Sequence, residues 1–600
     1  MSRVTAPPRR PVQGSSSGGP NRKQLIRLGD PRKRGIALLI ITAVVLTLFA
    51  GRLVDLQAIK GSDLASAALD QRLRTVAIPA LRGEIVDTNG APLAVTVEAR
   101  DLTADQTLIT DPVAVGVALA PILGADAEVL TSRLIGDRRF MYVAKGLTPE
   151  IWRRIEALRL PGIFGVQTSR RIYPGDSVAA NVVGFMGADG VGLAGLEYKY
   201  EDQLAGTVGT KTYERGPGGK AIPTAQQSTT DATAGVDIRL TIDRDIQYIA
   251  QEAIQQKVWE SGADSGTVVV MDPRSGQILA IATEPTYDSN KAGSAPAGSR
   301  GNRALSDIYE PGSTSKIMTL AAVIDQGAAN PYSTFTVPGS LTRGGKVFHD
   351  HNPHGTLRMT LAGIMAKSSN IGTILASERI GGRKLLSYLK KFGIGEKTGI
   401  DFPGESTGRV PAYKDWSATS FPTIAFGQGL SVNSVQAASV FATIANDGVR
   451  IEPTLVASIT RPDGTVEQAP APKTTRVVSP ETAVQVRAML ESVVGEGGTA
   501  PMAAIPGYRV GGKTGTAQYV NPATGRYGNG VIASFIGMAP ADNPQLVVAV
   551  NLVNPRNGRF GGELAGPVFK TVMSYALQAR HIPPTGTKAP KLALMVGGNQ

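Results

Sequence analysis

The longest apolar run in the chain is GIALLIITAVVLTLFA, Gly35 to Ala50, sixteen residues without a charge. It has no polar face, as an amphipathic core helix would. Extended to Val54, with Arg52 snorkelling toward headgroups, it reaches the roughly 20 residues needed to cross a bilayer. The pattern predicts one uncleaved transmembrane anchor over residues 35–54, because the preceding segment is too long for a signal peptide and LFAGR is a poor cleavage site. From Gln57 to about Gly235 the pattern changes to short alternating strands and turns. LRGEIVDTNGAPLAV (Leu81–Val95), with Asn89-Gly90 at its centre, reads as a hairpin. QQSTTDATAG (Gln226–Gly235) reads as a boundary. Beyond it, Ile246–Val258 has helical periodicity, and Gly266–Thr283 holds two apolar strands around Asp272-Pro273-Arg274-Ser275-Gly276. Two more strands, Val531–Met538 and Gln545–Val553, come late. A closing helix carries Phe569, Val572, Met573, Ala576 and Leu577 on one face. Strands at both ends of a long helical middle predict an α+β fold, one antiparallel sheet with helices packed on it and a helical lobe inserted between.

At 600 residues the chain exceeds one hydrophobic core, and its 42% hydrophobic and 18% charged residues are those of globular protein. It contains no cysteine, which excludes disulfides, thiolate metal sites and a cysteine nucleophile. Three of the four histidines lie in FHDHNPH (His349, His351, His354), the one place for a metal site. No glutamate or cysteine ligand motif accompanies them, so a plain loop is preferred and no metal or cofactor is expected. The net charge of +13 invites a nucleic-acid reading until it is located. Residues 1–34 carry nine Lys/Arg against Asp30, a net of +8, leaving +5 for the other 566 residues. The excess belongs to one basic tail, expected to be disordered, and a nucleic-acid partner is excluded. A basic flank before the span places the N-terminus in the cytoplasm and everything after residue 55 outside.

The chemistry concentrates in EPGSTSKIMTLAAVI, Glu310 to Ile324. Pro311 and Gly312 precede an apolar helix, so Ser313 stands at a helix start, where free N–H groups and the dipole stabilise a developing oxyanion. Lys316, three residues on, shares its face, and its amine is expected to reach the Ser313 hydroxyl. A lysine that loses its proton in a desolvated cleft makes such a serine nucleophilic. The same spacing at Ser387 and Lys390 lies mid-helix, without free N–H groups, and reads as a solvated face. A serine–lysine nucleophile needs a proton carrier, a cation for an anionic substrate end, and a second oxyanion donor. AKSSNIGT offers Ser368 and Asn370, and RVGGKTGTAQ offers Lys513, Thr514, Gly515 and Thr516 on an expected strand edge. Ser431 with Asn433, and Lys397-Thr398-Gly399, are decoys of the same composition. Of the two cleft lysines, Lys316 is expected to be neutral and Lys513 charged.

With these motifs in order, the chain resembles the class B penicillin-binding proteins, the membrane-anchored serine D,D-transpeptidases that cross-link peptidoglycan. YEPGSTSK, KSSN and GGKTGTAQ are similar to the family's three active-site motifs. LRGEIVDTNGAPLA, RRIYPGDSVAANVVGF and GLAGLE resemble its pedestal signatures, and FGQGLSVNSVQ, GGTA and SFIGMAP fit its transpeptidase domain. The resemblance implies Ser313 as acylated nucleophile, Lys316 as its base and Ser368 as proton shuttle. It implies Asn370 as a contact for the substrate's peptide amide and Lys513 as a source of positive charge. Thr514 and Thr516 would bind the substrate carboxylate beside Gly515, and the N–H groups of Ser313 and Thr516 would form the oxyanion hole.

The implied organisation is a tail (1–34), an anchor (35–54), a β-rich dimerisation-type pedestal (55–235), a transpeptidase domain (236–580) and a flexible C-terminal tail (581–600). The short pedestal, the tail-plus-anchor start and the linker Gly209–Pro223 resemble the division-specific type. That type cross-links stem peptides at the septum beside a polytopic glycosyltransferase and other division proteins, and is a target of β-lactams. An elongation-specific enzyme, or a division scaffold with little catalysis, are the alternatives. Arg82, Asp87 and Glu197 are expected either to fix the two domains' orientation or to be solvated turn residues.

Overall fold

The computed structural model describes residues 30–214, 222, 227–521 and 524–596. Most of the basic tail, residues 1–29, and much of the Gly209–Pro223 linker lie outside them. The chain divides into two compact units, Met1–Val76 with Lys211–Thr229, and Ala77–Thr210 with Thr230–Gln600.

In the first unit the apolar run forms α1 (Pro31–Val54), 24 residues or about 36 Å. Its span has a mean hydropathy of 2.4 and is long and apolar enough to cross a membrane. The hydroxyls of Thr42 and Thr47 donate back to the carbonyls of Leu38 and Ala43, so neither is left unpaired on the apolar surface. One expectation needs correcting here. Positions 31–34, assigned to a disordered tail, are the first turn of α1, because Asp30 accepts from the Arg32 amide at 3.1 Å and Pro31 opens the helix. A three-stranded sheet follows, in the order Leu73–Ile78, Gly209–Glu214, Gln227–Thr230. Its last strand lies within the stretch expected to be a boundary.

In the second unit β1 (Ile85–Val86) and β2 (Pro92–Ala104) form the hairpin read from Asn89-Gly90, with Gly90 at φ +85°. β2 pairs with Ile163–Ile172 from Val95 to Ala104, and its far half also pairs with Met141–Leu147. A separate small core of Leu102, Leu119, Leu134, Val143 and Ile155 supports that sheet. β3 (Asp237–Leu240) runs parallel to β1 on one side and antiparallel to Val456–Thr460 on the other. The division drawn at residue 235 is therefore not a gap in packing, since one sheet is built from both sides of it.

Asp243 caps α2 (Arg244–Ser261), accepting from the amides of Asp245 and Ile246, and Gly262 ends it at φ +60°. β4 (Ser265–Met271) and β5 (Ile278–Glu284) follow as the first apolar pair. The chain then leaves for the helical lobe, through α3 (Lys316–Asp325), β6 (Leu357–Thr360), α4 (Leu361–Ala366), α5 (Asn370–Glu378) and α6 (Ser434–Ala445). It returns as β7 (Gly511–Asn521), β8 (Arg526–Ala539) and β9 (Leu546–Val553), and closes with α7 (Gly561–Ala579). The main sheet is antiparallel in the order β5-β4-β9-β8-β7, as expected, with β7 on the edge. Every residue of β4 is buried, because α2 and α7 pack on the sheet as well as α6. That is why its sequence is a continuous apolar run rather than an alternation.

Arg82, Asp87 and Glu197 are 7%, 2% and 0% exposed, so they are not solvated turn residues. Arg82 donates to Glu197 and Glu201, and Arg171 donates to Glu197, each at 2.7 Å. Asp87 holds the turn through the amides of Asn89 and Ala91 and accepts from the Arg244 amide at the start of α2. It thus joins pedestal to transpeptidase helix. The end of the chain brings a second correction. Residues 582–596 are not a free tail, because Ile582, Thr585, Ala593, Leu594 and Val596 hydrogen-bond through their backbone to Tyr508, Gly507, Thr360 and Arg358. Leu592 and Leu594 pack against the main core, and this burial opposes fraying.

Candidate active site

Ser313 lies in a 3₁₀ turn, Gly312–Ser315, that runs into α3. The turn is seated on the sheet edge. A Cβ on Gly515 of β7 would stand 2.2 Å from Ser534 Oγ and 3.0 Å from Thr314 Cγ2, so only glycine lets strand and turn come this close. The Gly312 amide donates to the carbonyl of Gly427, and Thr319 donates to that of Ala425. FGQGLS thereby braces the turn from the other side.

Lys316 is fully buried, and its amine donates to Ser368 O at 2.5 Å, Asn370 Oδ1 at 2.8 Å and Ser368 Oγ at 3.3 Å. It makes these bonds rather than the expected one to the Ser313 hydroxyl, because three acceptors from the α4–α5 turn converge on it. Lys513, also fully buried, donates to Ser368 Oγ at 2.8 Å and to Thr514 O at 3.2 Å. The Ser368 hydroxyl therefore stands between the two lysines. Its backbone is at φ +58°, a conformation uncommon for a non-glycine residue and held here by the surrounding bonds. Thr514 shares a hydroxyl contact of 2.9 Å with Thr499 of the GGTA segment, and Thr516 Oγ1 lies 3.5 Å from the Gly561 amide. Every candidate residue read from the sequence is thus at one edge of the sheet, where Ser313, Ser368 and β7 meet.

Asp350 was not singled out by sequence reasoning. Its carboxylate accepts from Ser369 Oγ at 2.5 Å, from the Ile371 amide at 2.9 Å and, with His354 Nε2, makes a contact of 3.0 Å. Ser369 in turn caps α5. The FHDHNPH loop is therefore a brace for the SSN turn. An acid between two histidines in a chain with four histidines was the available signal. The decoys have other work. Ser387 and Lys390 are exposed, Asn433 caps α6 with Gln436 completing a capping box, and Thr398 donates to Glu405.

Burial lowers the Lys316 amine to about 7, opposed by the negative charge of Asp350. Burial also holds Lys513 well below the usual lysine range, and repulsion from Lys316 adds to it. Both amines are thus held below the ordinary lysine range in the unliganded site. A carboxylate not placed there from the sequence favours charge on Lys316, and Lys513 has no such neighbour. Beside the site is a cavity of about 920 Å³ bordered by Glu310, Tyr309, Arg409, Gln518 and Tyr519, but not by Ser313, Lys316, Ser368 or Lys513.

Known proteins share both the sequence and the fold. Residues 266–574 match the penicillin binding protein transpeptidase domain, and residues 77–240 the penicillin-binding protein dimerisation domain. The chain is 37% identical to penicillin-binding protein PbpB of Mycolicibacterium smegmatis, over 93% of this chain and 91% of that one. It is 33% identical to peptidoglycan D,D-transpeptidase FtsI of Escherichia coli, over 90% and 91%. The crystal structure of penicillin binding protein 3 from Mycobacterium tuberculosis, complexed with ampicillin, is 34% identical and superposes with a TM-score of 0.70, covering 87% of this chain and all of that one. The chain belongs to the class B penicillin-binding proteins and is a serine-type peptidoglycan D,D-transpeptidase.

Proposed function

We propose that Ser313 is the residue acylated by the penultimate D-alanine of a stem peptide, and that Lys316 takes its proton. The supporting observation is the Ser368 hydroxyl bonded by both lysine amines, which links the base to the position where a leaving amine must be protonated. Ser313 Oγ attacks the carbonyl, its proton passes to Lys316, and the N–H groups of Ser313 and Thr516 hold the oxyanion. Lys316 returns the proton through Ser368 to the departing D-alanine. An acceptor amine then attacks the ester, its proton passes by way of Lys316 to the departing Ser313 Oγ, and the serine is released with a cross-link formed. Asn370 contacts the peptide amide, and Thr514 and Thr516 the terminal carboxylate, beside Gly515.

Substrate sets the roles of the two lysines. Its carboxylate supplies the negative charge that Lys513 lacks, so Lys513 becomes the cation, and its repulsion drives Lys316 to the neutral form needed of a base. Acylation should rise with pH through about 7 and flatten above it. A β-lactam presents the same acyl group under strain, and the same serine should take it. Mass spectrometry of the penicillin-treated protein should find the adduct on Ser313. An adduct on Ser387, or none on folded protein, would sink the assignment.

We further propose that α1 is a single anchor with the N-terminus in the cytoplasm and the catalytic unit outside, since the basic residues precede the span. The same reading makes it the division-specific enzyme, acting at the septum beside a polytopic glycosyltransferase and other division proteins. The short pedestal and the anchor-first layout support this. A fluorescent fusion should form a midcell band, whereas label along the side wall would favour the elongation type.

A further inference from the structure

After α7 the chain crosses the transpeptidase unit, tied by the Tyr508 hydroxyl to Ile582 O at 2.7 Å and by the Thr585 amide to Gly507 O at 3.0 Å. It then reaches β6. One edge of β6 is taken by Thr334–Val337, and the last described residues take the other. Met595 pairs antiparallel with Met359, the Thr360 amide donates to Leu594 O at 3.1 Å, and the Val596 amide donates to Arg358 O at 2.9 Å. Residues 594–596 thus lie along the free edge of a two-stranded sheet through one antiparallel bridge.

This segment reaches the active site through α4. The Thr360 hydroxyl donates to Ala593 O at 2.6 Å and accepts from the Gly363 amide at 3.0 Å, so the cap of α4 is itself anchored to a C-terminal strap, residues 589–596. A Cβ on Gly363 would stand 1.9 Å from Leu594 O, so the helix flank lies directly against the strap backbone. α4 is six residues, about 9 Å. At its other end the Ser368 amide donates to Met365 O at 3.2 Å, and Ser368 O receives the Lys316 amine. Ser368 sits in a left-handed conformation that its surroundings must hold.

We infer that the C-terminal strap, residues 589–596, is a positioning element for the transpeptidation site. By fixing the start of α4, it sets where the Ser368 hydroxyl lies between Lys316 and Lys513. This rests on the roles proposed above for Ser313 and Ser368. The bland alternative is a segment that covers apolar surface and adds stability alone.

The test removes residues 589–600 from the full chain and follows acylation by a fluorescent penicillin well below the unfolding midpoint. The acylation rate constant should fall about 10- to 100-fold, the scale expected when a reacting group is displaced by about an ångström. Noncovalent β-lactam affinity, measured in the Ser313→Ala background, should stay unchanged. A synthetic peptide of residues 589–600 should restore the rate, and a scrambled peptide should not. Equal rates in truncated and intact chains, or a lowered unfolding midpoint with an unchanged rate, would overturn the inference. If the truncated chain does not fold, Gly363→Ala in the full chain replaces it. That variant should show the same fall in rate, with faster hydrogen exchange at the Val596 amide, and a parent rate would overturn the inference. Failure of the intact chain to acylate would instead sink the serine assignment, while exchange at Val596 would still report whether the strap is docked.

Discussion

In the pedestal, Arg82 and Arg171 are buried with the Glu197 carboxylate between them. At the catalytic edge, Lys316 and Lys513 are buried with the Ser368 hydroxyl between them. Burial alone would lower the Arg82 pKa, yet hydrogen bonds and charge from Glu201 and Glu197 raise it above its ordinary value. The lysines have no carboxylate bridge, and burial lowers both. The difference lies in what stands between the cations. A carboxylate makes a permanent structural tie, whereas with only a neutral hydroxyl between them burial lowers both amines and brings Lys316 to about 7, where a general base works.

The largest effect should come from breaking the lysine side. Lys316→Met should slow acylation by about 10²–10⁴-fold, the usual contribution of a general base, while leaving noncovalent binding intact. Between pH 7 and the ordinary lysine range the unfolded chain binds a proton that the native chain lacks, so stability of the parent should rise with pH across that window. The variant should show a shallower rise in denaturant titrations. Appreciable acylation without Lys316 would send the proton elsewhere.

Breaking the arginine side should do the reverse. Glu197→Gln leaves two buried guanidiniums without their shared carboxylate and should cost about 3–5 kcal/mol in chemical unfolding. The molecules that stay folded should acylate at the parent rate. A change in rate with unchanged stability would mean that the pedestal network is part of the chemistry.

Asp350→Asn sharpens the comparison, because it removes the carboxylate that keeps Lys316 from falling further. The rise of acylation with pH should move to lower pH. An unmoved profile would show that Asp350 acts only through Ser369 and Ile371. The smallest effect is expected at Asp87→Ala, about 1 kcal/mol of stability, since the residue acts as a turn and helix-start acceptor rather than a charge partner. Hydrogen exchange at the Arg244 amide would check it.

The chain's own pattern made much of this legible. Val268-Val269-Val270 and Val547-Val548-Ala549 announced central strands, and Pro311-Gly312 ahead of an apolar run announced the start of α3. These signals act over a few residues, so they survive without knowledge of the fold. Asp350 was passed over because an acid beside histidines is ordinary until Ser369 and Ile371 are brought against it. The bond from Lys316 to Ser313 was expected from helix spacing, but spacing does not say which acceptors arrive from elsewhere, and Ser368 and Asn370 did.

By itself, then, the sequence determined the elements, the three motifs and the family, because capping, turn chemistry and apolar periodicity are local. Tertiary structure alone decided which lysine carries a carboxylate nearby, that 145 residues of chain close to put Lys513 on Ser368, and that Leu594 lies against Gly363. Those outcomes depend on desolvation and on contacts between distant segments, and neither exists until the chain has packed.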